Sequence, residues 1–180
     1  MEKDTLQAVS SHVSEKDWQM MAAHADMPVD KLKEQILSAI SRDAAEPATA
    51  APMVRAAAAR MPVLGALKTV DNCKTQPFEV SLYKIVGIGG ELKVCGTPSD
   101  WQAELKVCLI VAGAKVWCTS YNFDSHNVTV GFHPNVGLAG ADLSLTLSFD
   151  VHKICLSAAG SVWYIFGKES FDQRLFCIPM

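Results

Sequence analysis

No stretch of this 180-residue chain approaches the roughly 18 to 20 consecutive apolar residues that a membrane-spanning helix needs. The longest apolar run, Val107 to Ala114, ends in a glycine-containing turn signal, so the sequence excludes a transmembrane helix. The N-terminus, Met1-Glu2-Lys3-Asp4, carries acids where a secretory leader has a basic start and an apolar core. A soluble protein with a cytoplasmic address is therefore expected, with non-classical secretion left open. A basic stripe is also missing. The formal net charge is −3, slightly negative in the first forty residues and again in the C-terminal hundred. Nothing is available to neutralise a phosphate backbone, and nucleic acid is not an expected partner. No two cysteines are spaced as CxxC and no close His pairs occur, which argues against a zinc finger or ribbon, so neither metal nor cofactor is expected. A GxSxG elbow, an HExxH helix, a Walker loop and a close pair of acids are all absent, and no enzymatic activity is expected. No repeat with a period of 20 to 50 residues emerges.

What the chain does have is apolar residues: 49% are hydrophobic and 19% charged, too apolar for disorder and enough for a real core. In the first forty residues the apolar positions recur at helical spacing: Leu6, Val9 and Val13, then Trp18, Met21, Ala22 and Ala25, then Leu32, Ile36 and Ile40. Three short helices fit. Ser14 with Asp17 three residues on has the pattern of an N-cap, and Pro28 ahead of Asp30 suits a fresh start after a break at Asp26. A helix-turn-helix reader of DNA is disfavoured because the charges of the last helix nearly cancel.

Residues 44–70 are rich in Ala, with Pro47 and Pro52, and read as a linker containing a protease-sensitive hinge. From about Thr75 the period changes to two and turn signals arrive every eight to twelve residues. In Leu143 to Phe149, Leu143, Leu145, Leu147 and Phe149 share a dry face while Ser144, Thr146 and Ser148 face water. Ala103 to Tyr121 reads as a hairpin folded at Ala112-Gly113, with Leu105, Val107, Leu109 and Val111 on one face, opposed by Val116 and Cys118. Cys108, Ile110, Trp117 and Tyr121 fall on the other face, which therefore asks for cover. Further strands are expected near Phe78 to Ile85, Glu91 to Cys95, Val128 to Phe132, Ser161 to Phe166 and Arg174 to Ile178. Gly89-Gly90 and Ala159-Gly160 serve among the turns, and His133 to Ala141 is the crossing between sheets. The fold class is thus α+β: a short helical segment at 1–43, the linker at 44–70, and a mainly antiparallel all-β domain of about eight strands at 71–180. A β-sandwich is favoured over a jelly roll or barrel. Cys95, Cys108, Cys118, Cys155 and Cys177 sit inside apolar strand-like runs and are read as buried free thiols.

Val86-Gly87-Ile88-Gly89-Gly90 lacks the following helix that would make it a phosphate loop and reads as a hairpin turn. Asp124-Ser125-His126, with His133 seven residues on, forms the densest polar cluster. Asp124, His126 and His133, joined by Trp101 and Tyr121, are the candidate ligand-binding residues for a sugar or lipid, although Asp, Ser, Asn and His are also the ordinary residues of turns. Trp101, Trp117, Trp163 and Tyr164 offer an aromatic platform or, more commonly, core. Asn127-Val128-Thr129 is a formal glycosylation sequon. The expected function is a non-enzymatic β-sandwich binding or assembly module, tethered by its helices to a protein partner or to another copy. A carbohydrate- or lipid-binding protein is the alternative, and a membrane-active protein ranks behind both.

Overall fold

A computed structural model describes residues 2–45, 68–70, 72–165 and 167–180. Three helices come first: α1 (Glu2–His12), α2 (Glu15–Ala25) and α3 (Val29–Ala45). The expected cap is present as a full capping box. Asp17 N donates to Ser14 Oγ at 3.2 Å, and the Asp17 carboxylate accepts from the Ser14 backbone N–H and hydroxyl. These bonds favour the ionised carboxylate and hold the Asp17 pKa below the ordinary aspartate range. α2 stops where Asp26 turns left-handed (φ 52°), and Pro28 accepts from Leu32 N to open α3. The helical spacing marks the buried face correctly at Val9, Val13, Trp18, Met21, Ala22, Leu32, Ile36 and Ile40, whereas Leu6 is exposed.

Nine strands follow among the described residues: β1 (Lys68–Val70), β2 (Cys73–Tyr83), β3 (Val86–Thr97), β4 (Asp100–Val111), β5 (Ala114–Asp124), β6 (Thr129–Phe132), β7 (Ala139–Asp150), β8 (Lys153–Tyr164) and β9 (Gly167–Pro179). They form two antiparallel meanders, β1-β2-β3-β4-β5 and β6-β7-β8-β9. The sheets face each other as a sandwich, with Phe78 against Phe176 (5.0 Å between ring centroids), Tyr83 against Tyr164 (5.5 Å) and Trp117 against Phe132 (5.7 Å). Apolar side chains at period two fill the space between them, including Ile88, Leu92, Leu105, Leu109, Leu143, Leu145, Leu147, Leu156 and Val162. The strand Leu143 to Phe149 keeps its expected dry face except at its end, where Phe149 is exposed.

Four expectations are corrected. Gly87 to Gly90 is not a turn: it lies within β3, and the chain reverses at 84–85. Ala159-Gly160 likewise lies within β8. The crossing between sheets is the short loop 125–128, while residues 133–138 return the chain within the second sheet from β6 to its neighbour β7. In the β4–β5 hairpin a bulge puts an extra residue, Val116, opposite the Leu109/Ile110 step. Beyond it Trp117 lies opposite Leu109 and Tyr121 opposite Leu105, both on the core face, and Cys118 lies opposite Cys108 on the outer face.

The cysteines are the larger correction. All six are paired, as Cys73–Cys95, Cys108–Cys118 and Cys155–Cys177. Each disulfide joins residues directly opposite one another on adjacent strands. Position along a strand does not reveal a partner; the register does.

The helices dock on the sandwich and share its core. α2 packs on β5, Gln35 Nε2 donates to Ala112 O at 2.7 Å, and the α1–α2 junction lies so close to Gly137 that a Cβ there would strike His12 O. The residues read as linker split between the two parts: 44 and 45 close α3, 68–70 form β1, and 46–67, with the expected hinge, lie outside the described residues.

Candidate functional site

The five candidate residues fall into three places. Trp101 is buried near the start of β4. Tyr121 is half-buried on the core face of β5, where burial raises its pKa above the ordinary tyrosine range. Neither presents a ring to solvent on the face where Asp124 lies.

Asp124 ends β5, and His126 sits on the loop that carries the chain to the second sheet. The Asp124 carboxylate accepts from His126 N and Asn127 N, both at 2.8 Å, an Asx turn closed by the backbone pair Asp124 and Asn127. These two amides hold its pKa below the ordinary aspartate range. His126 is exposed beside Ser125 Oγ at 3.2 Å. His133 lies at the other end of β6, where its Nδ1 meets Asp142 Oδ1 at 2.8 Å. Asp124, His126 and His133 therefore do not converge. Among the described residues no group of three His, Cys, Asp or Glu side chains could hold a metal.

Beside Asp124 lies a groove of about 370 Å³, lined by Lys93, Cys95, Gln102, Ala103, Glu104, Asn122, Phe123 and Asp124. Its origin is the sheet register. Cys95, Gln102 and Asp124 form one row across β3, β4 and β5, and Lys93, Glu104 and Asn122 form the next. Side chains opposite one another share a face, so two carboxylates, two amides and one ammonium group emerge together from three paired strands. Lys93, Gln102, Glu104 and Asn122 are exposed, and among the described residues their side chains make no hydrogen bond or ion pair. Such a set both donates and accepts, on a backbone held rigid by its ladder and by the Cys73–Cys95 disulfide at its margin. From the sequence only Asp124 was picked out. The others are spread over thirty residues, and only the register brings them together.

Cys118 and Cys155 are tied up in disulfides and offer no nucleophilic thiol. Comparison with protein-family models, with curated proteins and with solved structures gives no match.

Proposed function

We propose that the protein is a non-enzymatic binding module whose groove across β3, β4 and β5 takes a small hydroxylated ligand of the carbohydrate class. The convergence of Lys93, Gln102, Glu104, Asn122 and Asp124 on one outer face supports the reading. Paired amides and carboxylates match vicinal hydroxyl groups, each of which offers one donor and two acceptor positions. A lipid fits less well, because the groove's exposed side chains are polar. The assembly reading loses part of its support. The face that asked for cover has given Trp117 and Tyr121 to the core, and α1, α2 and α3 are docked instead of standing free as a tether. No helix among the described residues is long and apolar enough to cross a membrane. Three disulfides favour a compartment in which thiols oxidise, and this weighs against the cytoplasmic address.

Glycan and lipid panels read by thermal shift test the proposal, since a ligand that binds only the folded protein raises its melting temperature. A saccharide is expected to raise it. Gln102→Ala and Asn122→Ala are expected to weaken that saccharide about tenfold, or 1.4 kcal/mol, while changing unliganded stability by less than about 0.5 kcal/mol because both side chains are exposed. Binding left intact in both variants would remove the groove from consideration.

A further inference from the structure

The outer face of the second sheet carries a different arrangement. Gly140, Trp163 and Lys168 form one row across β7, β8 and β9, and Asp142, Ser161 and Ser170 form the adjacent row. Their neighbours Ala141, Leu143 and Val162 point into the core, so the alternation of the strands turns both rows outward. The Trp163 indole lies against Gly140: a Cβ there would stand 2.7 Å from ring atoms Cε2 and Cζ2, and as close to Pro134 O. Glycine is required here so that the ring can rest on bare backbone. The Trp163 side chain is nonetheless only half-buried. Within the same patch His133 Nδ1 meets Asp142 Oδ1 at 2.8 Å, with the two side chains 64% and 76% exposed. The imidazole, whose Nε2 end lies against Gly131, orients the carboxylate, and the second carboxylate oxygen remains for another partner.

We infer that this patch is a second saccharide site, in which a pyranose stacks its C–H face on Trp163 and bonds its hydroxyls to Asp142. The indole supplies a flat apolar platform whose electron-rich face attracts polarised C–H groups. The Asp142 carboxylate, held by His133, supplies an acceptor beside the platform, which a purely apolar partner would leave unsatisfied. The site shares a ligand class with the groove of the first sheet but none of its residues, so either can fail alone.

The test is an NMR titration of the full chain with methyl pyranosides of gluco, galacto, manno and N-acetylglucosamine configuration. At least one sugar is expected to move the Trp163 indole N–H signal while those of Trp18, Trp101 and Trp117, all buried or on the core face, stay in place. Trp163→Ala is expected to weaken that sugar about tenfold or more, and Trp163→Phe by less, because a smaller platform remains. Gly140→Ala is expected to weaken it as well by lifting the indole, with melting measured alongside because the added Cβ also meets Pro134 O. Asp142→Asn should weaken binding through the lost charge. An indole signal that no sugar moves, or a Trp163→Phe protein that melts like the parent and a Trp163→Ala protein that binds as tightly, overturns the proposal. Glu104→Gln separates the two sites: signals confined to the groove and lost in that variant sink the Trp163 site and leave the groove standing, and the converse result does the reverse.

Discussion

Asp124 does two jobs with one carboxylate. Oδ1 is committed to the amides of His126 and Asn127, and the same group lines the groove. Because those bonds depress its folded pKa, its contribution is present above the unfolded aspartate pKa and is lost as pH falls through the lower folded value. Carboxyl titration by NMR is expected to place its midpoint below that of an exposed aspartate, with the His126 and Asn127 amides exchanging faster below it. Asp124→Asn should keep both amides protected and abolish this pH dependence, whereas Asp124→Ala should release them at every pH. An ordinary midpoint would show that the turn does not bind the charged form. At this scale the sequence is a partial guide. An Asp followed by Ser, His and Asn announces a turn, and a turn is what Asp124 builds; that His133 turns instead to Asp142 depends on a strand pairing which no local pattern encodes.

At the scale of elements, the strands were legible wherever period two and turn chemistry agree, and illegible where glycine serves another purpose. Eight strands were expected from the alternation, and eight long enough to show it are present as β2 to β9; three-residue β1 is too short to display a period. The reversals expected at Gly89-Gly90 and Ala159-Gly160 were misplaced because glycine was taken there for the turn chemistry that it does supply at Ala112-Gly113. Gly160 has φ +139° and a Cβ there would collide with Asp142 O, so it permits close strand approach in mid-strand. The real turns are made by residues that pay steric strain. Val151 (φ 30°) and His152 (φ 67°) link β7 to β8 in the left-handed region, where a β-branched residue is a genuine outlier. Such two-residue turns favour Asn-Gly. Replacing Val151 by Asn and His152 by Gly is expected to stabilise the protein by about 1 kcal/mol, read as a higher denaturation midpoint at unchanged slope. A lower midpoint would mean that these side chains hold the turn through contacts that outweigh the backbone strain.

For the whole molecule, the decisive constraint is the one that the sequence hid. The switch from helical to alternating period separates the helices from the sandwich, and the hydrophobic stripe of α1 to α3 requires a surface to cover, which turns out to be β5 and the 133–138 connection. Cysteine inside an apolar run, by contrast, looks the same whether buried as a thiol or paired across a ladder. The disulfides close loops with sequence separations of 22, 10 and 22 residues, and loops of this size contribute about 3 kcal/mol each by restricting the unfolded chain. Together they rival the whole folding stability of an ordinary domain, about 5 to 15 kcal/mol. Each lies within one hairpin, and none ties sheet to sheet or helix to sheet, so no covalent cross-link joins the layers. Peptide mapping without reductant is expected to recover the 73–95, 108–118 and 155–177 linkages. Full reduction should then lower the urea midpoint steeply and leave a large unfolded fraction without denaturant, with sandwich and helices lost in one transition because they share a core. An unchanged midpoint after verified reduction would show that packing alone suffices, and would remove the physical reason for placing this fold in an oxidising environment.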